Sequence, residues 1–257
     1  MSILIIALAA FFASALTLFS GFGLGTLLMP VVAIFVPVEL AIAITAIVHF
    51  ANNLFKLGLL GRYAAISVLL RFGLPAIVFA VLGALLLGWL AQLPTLFSYS
   101  AFSIDMQVSP IKFVVGLLIV LIVLLELNPK FSAMQINNKY LPFGGMLSGF
   151  FGGLSGHQGA FRSMFLIKAG LSKQAFIATG VVLAVMVDLS RMLIYGWSMA
   201  ARPDAIDWTL VVSACLSAFA GAYFGAKLLN KITIRTIQVL VSVLLIVVGL
   251  GLLSGLL

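Results

Sequence analysis

The sequence predicts an all-α polytopic membrane protein made of two inverted repeats, each of about five helical segments that include short helices broken at glycine. Three observations carry this expectation. Of 257 residues, 64% are hydrophobic and only 8% are charged, against roughly 25% charged in soluble domains. Lipid can solvate that much apolar surface, whereas a soluble core of this size cannot hide it. Apolar runs recur at about 3–20, 22–36, 38–56, 72–92 and 110–127, and again, after a polar interruption, at 140–156, 158–170, 174–196, 208–226 and 236–256. Finally, Ser20-Gly21 and Asn53-Leu54-Phe55-Lys56 return as Ser155-Gly156 and Asp188-Leu189-Ser190-Arg191, both pairs 135 residues apart. Short glycine-interrupted segments at corresponding positions of two halves point to the binding site of a transporter.

The division that follows is an N-terminal membrane repeat at 1–127, a cytoplasmic linker at 128–139 and a C-terminal membrane repeat at 140–257. One long polar-leaning connection lies near 93–111. The net charge of +8 reads as orientation by the positive-inside rule, because no basic stripe with interleaved aromatics suggests nucleic acid. With five passes per half and the N-terminus outside, the cytoplasmic connections carry Lys56, Arg62, Arg71, Lys130, Lys139, Lys168, Lys173, Lys227, Lys231 and Arg235. The outer ones carry only Lys112 and Arg202 as bases, beside Glu39, Asp105, Asp204 and Asp207. Four passes per half would instead put the basic connections at 56–71 and 168–173 on opposite faces. An odd count makes the halves inverted and places both termini on the periplasmic side. The short runs need not cross fully, since irregular backbone is tolerated where it lines a cavity. Ala13-Ser14-Ala15 imitates a signal-peptidase site, but the basic stretch a signal peptide needs is missing, so the first run is expected to stay as a helix. The single Cys215 argues against an intrachain disulfide or a cysteine metal cluster.

Orientation leaves His49, Asn52, Asn53, His157, Gln158, Arg162, Asp188 and Arg191 unexplained, all in or beside the apolar runs. Ionisable groups at membrane depth are costly and usually line a pathway. Arg162 offers a permanent charge and a planar donor fork suited to an oxyanion. On a helix starting near Gly156, His157 and Gln158 would sit at the amino end, where free N–H groups favour an anion. Arg162 could instead reach the interface or pair with Asp188. Asp188 and Arg191, at i and i+3, share a helix face and either neutralise each other or couple transport to a proton. Asn52 and Asn53 offer amide donors to a solute or bonds between helices, and His49 stands one turn before them. Gly145, Gly149 and Gly153 follow the small-xxx-small spacing of close helix packing. No HExxH, Gly-x-Ser-x-Gly, Walker loop or Cys/His cluster occurs, so no enzyme and no metal or cofactor is expected.

Ser20-Gly21-Phe22-Gly23-Leu24-Gly25 with Pro30 resembles the glycine-rich opening of the TauE/SafE family of membrane transporters. The run Gly149-Phe150-Phe151-Gly152-Gly153-Leu154-Ser155-Gly156-His157-Gln158-Gly159-Ala160 resembles the repeat of that opening. Ala178-Thr179-Gly180 is similar to the element that follows it, with Ala43-Ile44-Thr45 a looser match in the first half. The resemblance spans nearly the whole chain. It implies a secondary transporter that exports sulfite or an organosulfonate across the bacterial inner membrane.

The combined expectation is a mid-membrane anion site. Arg162, His157, Gln158, Gly23, Gly25, Gly159, Asn52 and Asn53 would bind the solute, while Asp188, Arg191 and His49 would gate or couple. The expected partners are a small anionic substrate and membrane lipid, with no nucleic acid, and a homodimer stays open. An anion channel, or a permease for another anion such as a carboxylate, is the alternative; an intramembrane enzyme ranks below both.

Overall fold

Ten α-helices and one two-stranded hairpin follow one another among the described residues of a computed structural model, which cover 1–20, 23–101, 104–128, 130, 134, 136–199, 206–228 and 234–257. Gly21 and Phe22 of the first glycine-rich segment, Arg202, Asp204, Lys231 and part of the 128–139 linker lie outside them. Before the linker come α1 (Ser2–Ser20), α2 (Leu24–Ala33), α3 (Val38–Leu60), α4 (Ile66–Leu90) and α5 (Pro110–Leu127). After it come α6 (Leu141–Ser155), α7 (Gly159–Leu166), α8 (Lys173–Met199), α9 (Trp208–Leu228) and α10 (Ile234–Leu253). Four stretches are long and apolar enough to cross a membrane, Val38–Gly58, Ile66–Leu90, Pro110–Leu127 and Lys173–Gly196. The all-α polytopic expectation is therefore met.

Local sequence sets several boundaries. Ser109 caps α5, its hydroxyl accepting from the Lys112 amide at 3.4 Å, with Pro110 in the first turn. Pro75 has no N–H to return to the preceding turn, and its ring crowds the carbonyl four residues back. The helix answers with a π-helical turn at Leu69–Gly73. The α2 and α7 helices, of 10 and 8 residues, extend about 15 and 12 Å at 1.5 Å per residue, far short of a ~30 Å hydrocarbon core. Neither is long enough to cross it alone.

Packing is inside-out relative to a soluble protein. The α4 face carrying Phe72, Ala76, Ala80 and Ala84 is buried, while Leu70, Leu74, Val78, Leu82, Leu85 and Trp89 point outward. Along the buried face, α6 lies directly on α4. A Cβ added at Gly145, Gly149 or Gly153 would collide with the carbonyl oxygen of Phe72, Ala76 or Ala80 in turn. The small-xxx-small spacing thus serves backbone-to-backbone packing. In the same way α1 lies along α9, where Gly221 meets the Phe11 carbonyl, and α5 meets α10 at Gly116 and Gly249. The remaining large contact is α3 against α8.

Three expectations change. The connection near 93–111 contains strands β1 (Phe97–Ala101) and β2 (Ile104–Val108), paired antiparallel with Tyr99 opposite Met106. Lys56, expected in a cytoplasmic connection, lies inside α3 and is 6% exposed. The helix expected from Gly156 begins at Gly159 instead, because Gly156 adopts φ +84°, a left-handed conformation that ends α6.

The ends of the bundle differ in character. The Ala65 amide donates to Thr179 Oγ1 at 2.9 Å, joining the α3–α4 connection to the start of α8. The Ile136 amide donates to the Met164 carbonyl at 3.3 Å, bringing the linker beside α7. Arg62, Lys139, Lys168 and Lys173 therefore gather at one end. At the other end Tyr99 Oη donates to the Ser254 carbonyl at 2.7 Å, tying the hairpin to the C-terminus. The connections at 56–71 and 168–173 share that first end.

Candidate functional site

Helical periodicity assembles the site. On α3, Thr45, His49, Asn52, Asn53 and Lys56 fall at i, i+4, i+7, i+8 and i+11, one face of a helix. All five are buried, none more than 6% exposed. That face packs on α8, whose Asp188, Arg191 and Tyr195 are likewise buried. The stretches Gly23–Gly25 and Gly156–Gln158 close the space between them.

Asp188 is the hub, wholly buried at 0% exposure. Its Oδ2 accepts from His49 Nδ1 at 2.5 Å. Its Oδ1 accepts from Arg191 Nε at 3.1 Å, Arg191 Nη2 at 2.8 Å and Gln158 Nε2 at 3.3 Å. Both oxygens are satisfied, and the arginine supplies the counter-charge a buried carboxylate needs. Of the two alternatives, mutual neutralisation describes the Asp188–Arg191 geometry. Arg191 Nη1 also donates to the Gly152 carbonyl at 3.2 Å, and Tyr195 Oη donates to the Gly153 carbonyl. These bonds hold the last turn of α6, where the Gly152 carbonyl also accepts from the Gly156 amide at 3.0 Å. Arg191 Nη1 would lie 3.1 Å from a Cβ at Gly156, so the turn brings its backbone against the guanidinium.

The two helix breaks meet at this hub. A Cβ on Gly23 would sit 3.2 Å from His49 Nε2. One on Gly25 would sit 3.6 Å from Thr45, 3.8 Å from the Gly156 carbonyl oxygen and 3.9 Å from the His49 ring. Neither α2, entered through Gly23, nor α7, entered through Gln158, has a side chain capping its first amides. Asn53 Nδ2 donates to the His49 carbonyl at 2.9 Å and lies 3.2 Å from the ring nitrogens. Asn52 Oδ1 accepts from Ser14 Oγ at 3.1 Å, linking α3 to α1. His157 Nδ1 lies 3.1 Å from the Ser155 carbonyl, and the Gln158 carbonyl accepts from Ser148 Oγ at 3.0 Å.

Arg162, one turn into α7, makes no ion pair with Asp188, whose oxygens Arg191, His49 and Gln158 already occupy. Its Nη1 is sealed from solvent and has no partner. Gly180 leaves room for its chain, an added Cβ there lying 3.6 Å from Nε. Thr45 Oγ1, Asn52 Nδ2, His157 Nε2 and Gln158 Oε1 are buried without partners too. Buried polar atoms are nearly always hydrogen-bonded, so these five, on residues of α3, α7 and the α6–α7 turn, have hydrogen-bonding capacity that the described protein groups leave unused.

Of the residues expected at the site, His49, Asn53, Gln158, Asp188, Arg191, Gly23 and Gly25 meet around the hub, while Asn52 turns to Ser14, His157 to Ser155 and Arg162 to Gly180, and Gly159 opens α7. Sequence reasoning missed Thr45, Ser14, Ser148 and Tyr195 as participants and assigned Lys56 elsewhere. The signal for Thr45 and Lys56 was present, because both continue the period that joins His49 to Asn52 and Asn53. No curated protein and no solved structure matches the chain significantly. The family model described as sulfite exporter TauE/SafE matches residues 6–252. With that match over nearly the whole chain, and a buried polar site between helix breaks, the protein belongs to the TauE/SafE family of sulfite-exporter-type membrane transporters.

Proposed function

We propose that the protein is a secondary transporter that exports a small sulfur-containing oxyanion, sulfite or an organosulfonate, across the bacterial inner membrane. The observation that carries this reading is the set of unpartnered buried donors near a site whose one carboxylate among the described residues, Asp188, is already neutralised. The free Arg162 guanidinium nitrogen, Asn52 Nδ2 and the uncapped first turns of α2 and α7 all present N–H groups. Such a set suits an anion with several acceptor oxygens. His157 and Gln158 would orient it from the α6–α7 turn, and Asn53 would complete the α3 wall. Asp188, with His49 and Arg191, would couple or gate by holding α3 to α8. The reciprocal packing of α1 on α9 and of α6 on α4 supports inverted repeats that rock about the site, as in other repeat-built transporters.

The test is binding and counterflow with the purified protein in liposomes. Wild-type protein should bind sulfite or a sulfonate and show trans-stimulated exchange. Arg162→Ala should stay monodisperse and lose anion affinity by about thirtyfold or more. Wild-type affinity in that variant would remove Arg162 from the site. Flux without trans-stimulation would indicate a channel instead.

A further inference from the structure

The site holds a second cation that neither orientation nor Asp188 accounts for. Lys56 occupies, at the 135-residue offset, the position of Arg191. The two halves treat these cations differently. Arg191 has Asp188 three residues before it and is paired with it at 2.8 Å. Lys56 has the neutral Asn53 at that place. Five of the chain's six carboxylates, Glu39, Asp105, Glu126, Asp188 and Asp207, are among the described residues, and none is in ion-pair distance of Lys56 or Arg162. Both ion pairs found among the described residues belong to Asp188. Lys56 is nevertheless 6% exposed. Arg162 lies against Gly180 of α8, an added Cβ there falling 3.6 Å from its Nε, and the neighbouring Thr179 bonds the Ala65 amide just beyond the end of α3.

Two buried like charges without a carboxylate among the described residues to pair with are costly. An orientation lysine avoids that cost by extending into the open, whereas Lys56 is buried on the α3 face that packs on α8. Lys56 is seven positions beyond His49, about 10 Å along α3, and Gly180, beside Arg162, is eight positions before Asp188, about 12 Å along the facing α8. The pair of free cations is therefore displaced from the Asp188 hub toward the end of α3 where Arg62 lies.

We infer that Lys56 and Arg162 form a two-cation subsite that selects a doubly charged oxyanion, such as the sulfite dianion, over a singly charged organosulfonate. Lys56 acts as a specificity residue: Arg162 supplies the fork common to both anions and Lys56 neutralises the second charge. This inference rests on the anion-transport reading above.

The experiment compares sulfite and sulfate, as divalent probes, with methanesulfonate, a tetrahedral sulfur oxyanion of one charge. Affinity and exchange are measured for the wild type, Lys56→Gln, Lys56→Met and Lys56→Arg in the full-length protein. The wild type should prefer a divalent probe. Lys56→Gln and Lys56→Met should weaken divalent binding by about tenfold or more while moving methanesulfonate far less. Lys56→Arg, which keeps the charge, should retain the preference, and it serves as the readout if the neutral variants fail to fold. Equal loss for both anion classes, no loss for either, or loss of the preference in a folded Lys56→Arg overturns the inference while leaving the anion site standing. If the wild type binds none of the three probes, the transport reading itself fails and the inference falls with it.

Discussion

Asp188 spends both of its oxygens on residues from three elements, so its removal has consequences beyond a lost hydrogen bond. Asp188→Leu would strand the Arg191 guanidinium at 1% exposure without a counter-charge, a situation that costs about 3–5 kcal/mol. A large drop in the thermal midpoint of the detergent-solubilised protein is the expected outcome. Adding Arg191→Met should recover a substantial part of that loss, because it removes the stranded charge. A double variant no more stable than the single one would show that the pair matters for another reason, such as the Arg191 bond to Gly152. The Asp188–Arg191 contact was legible in the sequence, since a spacing of i, i+3 already places the two on one face. The His49–Asp188 contact was not, because it joins residues 139 apart and depends on which helix faces which. Lys56 was misread for a related reason: at the end of an apolar run, a lysine looks the same whether it reaches outward or lies against a partner helix.

At the scale of elements, glycine does two separate jobs that composition alone does not distinguish. Gly145, Gly149 and Gly153 let α6 touch the backbone of α4, whereas Gly156 ends α6 by taking a positive φ. Gly149→Ala should force the two helices apart at Ala76 and lower the thermal midpoint, at a cost of about 1–3 kcal/mol for overpacking. Gly88→Ala, on α4 with open space around it, is the control and should be neutral or slightly stabilising. Equal effects from the two variants would mean that close approach is not what Gly149 provides. The breaks themselves were readable from Gly23–Gly25 and Gly152–Gly159, although the second helix begins three residues later than expected because the left-handed Gly156 must first turn the chain. The hairpin was readable as well. Phe97-Ser98-Tyr99-Ser100 and Asp105-Met106-Gln107-Val108 alternate with period two, a signal easily overlooked in a chain dominated by helical runs.

The molecule as a whole has a basic end and a hairpin end, and this polarity carries the orientation. Arg62, Arg71, Lys139, Lys168 and Lys173 cluster around connections that the Ala65–Thr179 and Ile136–Met164 bonds draw together, while the Tyr99–Ser254 bond fixes the C-terminus beside the hairpin. The positive-inside rule weighs Lys and Arg in short connections, so the basic end is expected in the cytoplasm and the hairpin, with the C-terminus, in the periplasm. The protein lends itself to a direct test because it has one cysteine, half-buried in α9. In a Cys215→Ala background, Gln107→Cys should react with a membrane-impermeant maleimide added to intact cells, and Arg62→Cys should react only after the membrane is opened. A fusion reporter at the C-terminus should be active in its periplasmic form and silent in its cytoplasmic one. The reverse labelling pattern would invert the whole assignment, and with it the side from which the Lys56–Arg162 subsite is first reached. In the expected orientation that subsite lies nearer the cytoplasmic end of α3, where an exporter must collect its anion.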